Sequence, residues 1–295
     1  MKLTDLSVIR SLLGEEGTSF KKKYGQNFLT NESVVERIAA SALPDVPDPE
    51  ERLGILEIGP GIGVLTQKLA AVAHKVTAVE IDTTLLPILE KTLADCPNVH
   101  VVNNDIMKVD LPALVAEEFE GCTRLAVCAN LPYYITTPIL MTLLESKLPF
   151  SSITVMVQKE VAERLCAPAG SDAYGAITAV LCYYGEAKRL FTVSAGNFVP
   201  APKVDSAVVQ IKLHQSPPVE VADEERLFAV IKAAFGQRRK TLQNALTSLP
   251  GVSRQQIAAA IAEAGLSPTV RGEALGLEQF AKIADSVFSV QESTQ

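Results

Sequence analysis

Glycines at alternating positions follow the first strongly apolar run of the sequence, in the segment Glu57–Gly63 (E-I-G-P-G-I-G). Glycine lets a chain turn tightly, and it lets a ligand lie against bare backbone at the start of a helix. A dinucleotide site would have the pattern G-x-G-x-x-G, but Val64 occupies the position of its last glycine. The segment therefore predicts a site for a nucleoside without a pyrophosphate, with Gly59 and Gly61 beside the ligand. A tight turn that binds nothing is the alternative.

Acidic residues follow the next two apolar runs. Glu80 ends the second run, and a carboxylate there can accept hydrogen bonds from both hydroxyls of a ribose. Asp82 is a weaker candidate for the same role, or a helix cap. Asp105 follows the third run and could accept a hydrogen bond from the amino group of an adenine, although such a residue is more often part of a turn. Because the carboxyl ends of parallel strands meet at one edge of a sheet, we expect these residues to face the same ligand.

The segment Asn130–Tyr134 (N-L-P-Y-Y) follows the fourth apolar run. The exocyclic amine of adenine is a poor nucleophile, because its lone pair is delocalised into the ring, and it needs acceptors that hold its hydrogens. The Asn130 side-chain oxygen and the Leu131 carbonyl are such acceptors. Pro132 would stiffen the turn, and Tyr133 offers a ring on which an extruded base can stack. The pattern predicts methyl transfer to adenine N6, accelerated mainly by alignment; a proline-containing turn with buried aromatics is the alternative.

Two further segments fit the same chemistry. Gly25–Leu29 (G-Q-N-F-L) could fold over a cofactor as a lid. It contributes three candidate cofactor-binding residues: Gln26, Asn27 and Leu29. Asn197–Ser206 is rich in proline and presents Phe198, which could form the second face of a sandwich around the base. A simple loop anchor is the alternative for Phe198.

From Gly54 onward, short apolar runs alternate with stretches of helical periodicity. The candidate strands are 55–58, 76–80, 99–102, 125–128 and 153–157. The candidate helices between them are 65–72, 85–93, 111–119 and 139–144. This alternation predicts an α/β fold with a parallel sheet covered by helices on both faces. The runs 190–193 and 207–213 should extend the sheet, as an antiparallel hairpin at its edge.

After Pro217 the pattern is wholly helical, with candidate helices at 227–235, 242–246, 257–264 and 277–288. We therefore divide the chain into three parts. Residues 1–24 form an N-terminal amphipathic helix and a basic loop, residues 25–216 the catalytic domain, and residues 217–295 a smaller helical domain.

Composition limits the class of protein. The 295 residues carry a net charge of −7, which argues against coating nucleic acid by bulk attraction but not against local basic patches. Two basic triplets occur, at 21–23 and, within a helical pattern, at 238–240. The five cysteines are never spaced as C-x-x-C, so we expect reduced core thiols in the cytoplasm and no metal site. Neither a membrane span nor a signal peptide is predicted.

Taken together, these segments resemble the small-subunit rRNA adenine N6-dimethyltransferase family (the KsgA/RsmA group) over nearly the whole chain. The resemblance is carried by Gly25–Leu29, Glu57–Gly63, Glu80, Asp105, Asn130–Tyr133, 158–160, Phe198–Ser206 and 235–242. It implies a Rossmann-like class I methyltransferase sheet with a smaller all-helical C-terminal domain, and S-adenosylmethionine as cofactor. It also implies dimethylation of two adjacent adenines in a hairpin near the 3′ end of small-subunit rRNA, within a partly assembled subunit during ribosome biogenesis.

The resemblance also implies roles for single residues. The implied cofactor contacts are Asn27, Leu29, Gly59, Glu80, Asp105 and Asn130. Tyr133 and Phe198 would hold the base. Since the family's helical domain contributes to RNA contact, basic residues become candidates for phosphate contacts. These candidates are Lys22, Lys23, Arg238, Arg239 and Lys240.

Three other functions remain as alternatives. An Erm-type enzyme, which methylates large-subunit rRNA, resembles this family in fold and motifs, but the segments 235–242 and 271–275 favour the small-subunit type. A non-catalytic ribosome assembly factor with the same fold is disfavoured because Gly59, Asn130, Pro132 and Tyr133 are all present. A dehydrogenase is disfavoured by Val64.

Overall fold

The computed structural model describes residues 1–18, 20, 21, 25–43, 48, 50–237 and 239–289. The chain divides into two compact units, of which the first comprises Met1–Ala162 and Lys188–Leu213, and the second Glu163–Ala187 and His214–Gln295. The expected division into residues 1–24, 25–216 and 217–295 differs in two respects: residues 1–24 are part of the first unit, and residues 163–187 belong with the helical unit although most of the sheet precedes them.

Strands and helices alternate through the first unit, as the sequence pattern predicts. The strands in the described residues are β1 (Phe28–Leu29), β2 (Leu53–Ile58), β3 (Lys75–Glu80), β4 (Val99–Asn103), β5 (Arg124–Asn130), β6 (Phe150–Gln158), β7 (Gly185–Val193), β8 (Phe198–Val199) and β9 (Ser206–Leu213). The helices are α1 (Leu6–Glu15), α2 (Glu32–Ala40), α3 (Val64–Ala70), α4 (Leu86–Thr92), α5 (Leu111–Glu118), α6 (Thr136–Glu145), α7 (Lys159–Leu165), α8 (Ala176–Tyr184), α9 (Glu224–Gly236), α10 (Leu242–Leu246), α11 (Arg254–Glu263) and α12 (Leu277–Ser289).

The main sheet has seven strands in the order β4-β3-β2-β5-β6-β9-β7. The pairs β4–β3, β3–β2, β2–β5 and β5–β6 are parallel, and β9 pairs antiparallel with β6. The expected parallel sheet with an antiparallel edge is thus confirmed. Since β2 lies between β3 and β5, the carboxyl ends of these three strands lie side by side.

All six residues of β2 are buried. Successive side chains of a strand point to opposite faces, so both faces of the sheet centre are covered, as in other parallel sheets. Gly54 in this strand is required by close packing. A Cβ atom there would lie 2.5 Å from Phe119 Cδ1, at the end of α5, and 2.9 Å from Leu125 Cδ2.

The N-terminal helix α1 belongs to the core of the first unit. Its side chains Ile9, Leu12 and Leu13 are buried in the same cluster as Phe28 and Val35. The helix begins at a side-chain cap, where Asp5 accepts a 2.8 Å hydrogen bond from the Ser7 amide. Residues 1–18 are therefore anchored to the domain that carries the sheet.

The second unit is helical and is held together by aromatic contacts. Tyr183 of α8 meets Phe228 of α9 edge to face at 5.4 Å. Phe235 contacts Tyr174 at 5.5 Å and Phe280 at 6.0 Å. The sequence pattern did not predict α8, and its aromatic packing on α9 explains why residues 163–187 join this unit.

Two expectations about particular side chains need correction. Arg239 and Lys240 of the second basic triplet do not lie within a helix: α9 ends at Gly236 and α10 begins at Leu242, so these two exposed residues lie in the connection. The cysteines are not all core thiols, because Cys128 is buried but Cys182 is exposed.

Across the described residues, none of the helices has the length and apolar character needed to cross a membrane. The candidate RNA-binding residues Lys22, Lys23 and Arg238 lie outside the described residues.

Candidate functional site

A cleft in the first unit lies at the carboxyl ends of β2, β3 and β5. Its walls come from Gly25–Leu29, from the turn between β2 and α3, from the end of β3, and from Asn130–Tyr134. The structure thus brings together most of the predicted cofactor and base contacts. Each of these three strands contributes residues at or just beyond its carboxyl end, as expected for ligand sites in folds of this class.

The glycine turn after β2 adopts backbone angles that other residues rarely take. Gly59, Gly61 and Gly63 have φ angles of 69°, 63° and 87°. A Cβ atom on Gly61 would lie only 2.8 Å from Phe28 Cε1, so the lid segment approaches bare backbone here. Nothing lies within 4 Å of the corresponding position on Gly59, which leaves open space above the turn.

Glu80 ends β3 with a buried side chain. Its carboxylate accepts hydrogen bonds from the Asp82 amide at 2.7 Å and the Gly61 amide at 3.3 Å. Burial raises the pKa of Glu80 to about 7, although these two amides favour the charged form. The side chain is therefore fixed in place at the wall of the cleft.

Glu57 also lines the cleft, and our sequence analysis assigned it no role. The side chain is 1% exposed, and its Oε2 atom has no hydrogen-bond partner among the described residues. Burial raises the pKa of Glu57 to about 8; the nearby Thr66 hydroxyl opposes this shift and the charge of Glu80 adds to it. The sequence did contain a signal for this residue. An acidic residue within a strand that is buried on both faces is rare, because burial of its charge is costly unless the group is paired.

Gln26 and Asp82 connect the lid segment to the end of β3. The Gln26 amide group donates to Asp82 Oδ2 at 2.9 Å, and Lys21 Nζ donates to Asp82 Oδ1 at 2.8 Å. Asp82 also caps a short 3₁₀ helix by accepting from the Thr84 amide at 3.2 Å. Burial alone would raise the pKa of Asp82, but hydrogen bonds from Lys21, Thr84 and Gln26 outweigh it and hold the pKa below its usual value. Asp82 is thus a charged anchor for the lid.

Asn130 joins the end of β5 to the lid. Its Nδ2 atom donates to the Asn27 carbonyl at 3.2 Å, so the side-chain oxygen is the acceptor that remains. Asn27 is fixed in turn by a 2.9 Å hydrogen bond from its own side chain to the Gly25 carbonyl. The following residue, Leu131, is buried, and its amide donates to the Met156 carbonyl at 3.2 Å.

Pro132 and Tyr133 continue this segment along the cleft. The Pro132 carbonyl accepts from the Thr136 hydroxyl at 3.0 Å, which fixes the turn against the start of α6. The Tyr133 hydroxyl lies 2.6 Å from Ser206 Oγ. Burial raises the pKa of Tyr133, and the bond to Ser206 offsets part of that shift. The half-buried ring is therefore anchored through its hydroxyl group.

Two predicted site residues are not brought into this cleft. Phe198 is 5% exposed and lies in β8, where it pairs with Leu29 in a two-stranded antiparallel sheet; it lines a neighbouring groove instead. Asp105 is half-buried beyond β4, and its Oδ1 atom accepts from the Met107 amide at 3.0 Å. Leu29, by contrast, is buried and lines the cleft. The described basic candidates, Arg239 and Lys240, belong to the second unit.

Comparisons with known proteins agree with this arrangement. Residues 17–287 match the family model of the ribosomal RNA adenine dimethylases. The ribosomal RNA small subunit methyltransferase A of Streptococcus sanguinis is 48% identical over 292 residues, covering 98% of this chain and 99% of that protein. The protein of the same name from Shouchella clausii is 47% identical over 281 residues, covering 95% of this chain and 93% of that protein.

Solved structures give the same fold. The 23S rRNA methyltransferase ErmE is 27% identical, with a TM-score of 0.67, covering 88% of this chain and 99% of that chain. A dimethyladenosine transferase from Plasmodium falciparum is 24% identical, with a TM-score of 0.71, covering 87% of this chain and 95% of that chain. The sheet thus has the Rossmann-like class I methyltransferase topology. With its family match over nearly the full length, the chain belongs to the ribosomal RNA adenine dimethylase family of methyltransferases.

Proposed function

We propose that this protein transfers methyl groups from S-adenosylmethionine to N6 of two adjacent adenines in a hairpin near the 3′ end of small-subunit rRNA. The substrate would be RNA in a partly assembled small subunit, in the cytoplasm, during ribosome biogenesis. The observation that carries the proposal is one cleft that places the Asn130–Tyr133 segment opposite the glycine turn and Glu80. Near-half identity to proteins named for small-subunit methylation supports the choice of substrate.

The cleft fits the nucleoside part and the amino-acid part of such a donor. Open space above Gly59 admits a ligand against bare backbone, and the buried Glu57 Oε2 atom lacks a described partner and suits a cationic group. Glu80 would accept from the ribose hydroxyls; Gln26, Asn27 and Leu29 would cover the ligand, and Asp105 remains a proposed contact. When bound, the donor supplies an activated methyl group on a sulfonium.

The residues of the acceptor side orient the target amine. The Asn130 side-chain oxygen and the Leu131 carbonyl would each accept a hydrogen from N6, so that its lone pair points across the cleft. Hydrogen bonds to Asn27 and Met156 hold this segment still. Tyr133, fixed by Ser206, would stack on the base, with Phe198 proposed as the second ring. Alignment of this kind accelerates a reaction without a strong general base.

Labelled methyl transfer tests the proposal. Small subunits isolated from cells that lack this enzyme would be incubated with the purified protein and labelled S-adenosylmethionine. We expect label in dimethyladenosine at two adjacent positions near the 3′ end of the small-subunit rRNA. Label elsewhere, or none with a folded protein that binds the donor, would contradict it.

Methylation of large-subunit rRNA is a second candidate, favoured by the likeness to ErmE at 27% identity. The two candidates differ in the form of the substrate, since the Erm-type enzymes would act on protein-free RNA. A parallel reaction with protein-free large-subunit RNA separates them. Label only in that reaction would replace the first proposal with the second.

A further inference from the structure

Two buried carboxyl groups share the floor of the cleft. Glu57 and Glu80 lie on the paired strands β2 and β3, and both line the same cavity. Their side chains are nearly inaccessible to solvent. Two negative charges in one buried site repel each other and lack the hydration that stabilises them in water, so such pairs tend to keep a proton.

The surroundings of the two side chains indicate which carboxyl group keeps the proton. Glu80 accepts two backbone amide hydrogen bonds, which favour its charged form. Glu57 has an oxygen without a partner among the described residues, and the charge of Glu80 opposes its ionisation. With its pKa raised to about 8, Glu57 would be protonated about ten to one at pH 7 in the ligand-free protein.

The other charged or titratable groups near Glu57 do not supply a cation. Cys128 on β5 is buried beside it, and burial raises the thiol pKa well above its ordinary value, so it stays neutral. Asp82, beyond Glu80, is paired with Lys21. On the α3 side the neighbour is the hydroxyl of Thr66. Within the described residues, a positive charge must therefore come from the ligand.

We propose that Glu57 carries a proton in the ligand-free cleft and releases it to solvent when the cationic part of the methyl donor enters. The O–H bond of the carboxyl group breaks, the proton passes to the buffer, and the carboxylate that remains faces the incoming cation. Binding of the donor is thereby linked to pH. This inference rests on the proposed donor and adds a role for a residue outside the predicted site.

The sign of the linkage follows from the direction of the shift. Because the ligand favours the ionised form, affinity rises with pH while Glu57 is protonated in the free protein, by up to about tenfold per pH unit. The rise levels off as pH passes about 8, because above that pH Glu57 is mostly ionised without ligand. A ligand without a positive charge would show only the weaker dependence that comes from Glu80, whose pKa burial raises to about 7.

Calorimetric titration in buffers of different ionisation enthalpy tests the proposal, because it counts protons released on binding. We expect proton release on binding of S-adenosylmethionine near neutral pH, and a clearly smaller release with 5′-methylthioadenosine, which lacks the sulfonium and ammonium groups and can draw only on Glu80, whose pKa is also raised, to about 7. In Glu57→Gln most of the release should disappear, while Glu118→Gln, a buried acid outside the cleft, should behave as the wild type. Equal release with both ligands, or unchanged release in Glu57→Gln, overturns the proposal.

An infrared measurement keeps the test independent of the variant. The ligand-free wild-type protein should show the carbonyl band of a protonated carboxyl group, and this band should vanish when S-adenosylmethionine is added. A band unaffected by saturating donor would count against the inference. Failure of the protein to bind S-adenosylmethionine at all would instead overturn the proposed function.

Discussion

At the scale of single residues, the most informative feature is that separate sets of hydrogen bonds hold the residues at the two ends of the cleft. Glu80 is held by two backbone amides on the cofactor side, whereas Asn130 is held by the Asn27 carbonyl on the acceptor side. Binding and chemistry should therefore respond to different substitutions.

Glu80→Ala should weaken binding of S-adenosylmethionine. Charged hydrogen bonds are worth about 1.5–3 kcal/mol each, and the variant loses those to the ribose. Calorimetry on the folded variant measures the change, and Glu80→Gln, which keeps the shape of the side chain, serves as the matched control. Unchanged affinity in the alanine variant would remove Glu80 from the site.

Asn130→Ala should bind RNA nearly normally and yet lose about 100-fold or more in single-turnover methylation, because misplacement of the target amine acts on the transition state. Asn130→Asp keeps an acceptor oxygen but loses the donor to Asn27, and so tests the two functions of the side chain separately. Near-normal turnover in the alanine variant would show that Asn130 does not align the amine.

The buried Glu57 also predicts a change in stability with pH that needs no ligand. Its pKa in the folded protein lies near 8, above the ordinary 4.5, so its contribution to folding is favourable at low pH and is lost as pH rises through this range. Glu57→Gln removes this dependence. Thermal unfolding of the ligand-free proteins should therefore show the variant gaining stability relative to the wild type from about pH 5 to about pH 9; a constant difference is the contrary result.

At the scale of elements, the lid is attached at both ends by contacts between distant parts of the chain. Gln26 and Lys21 bind Asp82, and β1 pairs with β8. The position of Gly25–Leu29 over the cleft thus depends on elements outside the lid itself.

Asp82→Asn tests the contacts of Gln26 and Lys21 with Asp82. It keeps an oxygen for the Thr84 amide but removes the charge that binds Lys21, so the lid should be held less firmly. We expect a raised KM for S-adenosylmethionine with little change in kcat. Lys21→Met should give a similar effect, and the double variant should be no worse than either single one. Additive effects would mean that the two side chains act separately.

Phe198→Ala tests the pairing of β1 with β8 together with the proposed stacking. Stacking of a base on an aromatic ring is worth about 1–3 kcal/mol, so its loss should release the base early and let monomethyladenosine accumulate. Val199→Ala, the neighbour in β8, controls for general loosening of the strand pair. Nucleoside mass spectrometry reads the ratio of mono- to dimethylated product, and an unchanged ratio and yield would leave Phe198 as a loop anchor.

The five parallel strands could be predicted from sequence because each is built around a short apolar run between helical periods, whereas β7, which is polar over its first half, was predicted only from Leu190. The site could be predicted in part, since glycines, Glu80 and Asn130 stand at strand ends. The pairing of β1 with β8 could not, because two-residue strands carry no periodicity and their partners are far apart in the chain. For the same reason the burial of Phe198 and the contact between Gln26 and Asp82 were not predicted. The helix α8 was missed because its apolar face packs on α9, which follows 40 residues later.

At the scale of the whole molecule, the charge distribution bears on RNA binding. The net charge is −7, so we propose that phosphate contacts come from local groups such as the exposed Arg239 and Lys240. Replacing both with Gln should weaken binding to all RNA sequences. It should also lower the slope of log affinity against log salt by about 0.7–0.9 per lost contact. Lys232→Gln with Lys282→Gln, two exposed helical lysines of the same unit, is the matched control; an unchanged slope assigns the pair to ordinary surface.

The path of the chain through its two units determines whether one unit could be deleted or exchanged without the other. Because residues 163–187 belong to the helical unit but lie between β6 and the last strands of the sheet, neither unit is one uninterrupted stretch of the gene. Deleting everything after residue 213 would leave α8 behind, with Tyr183 deprived of its contact with Phe228. Evolution could therefore not exchange the helical unit by recombination at one joint. An exchange would need joints on both sides of residues 163–187 as well as after residue 213.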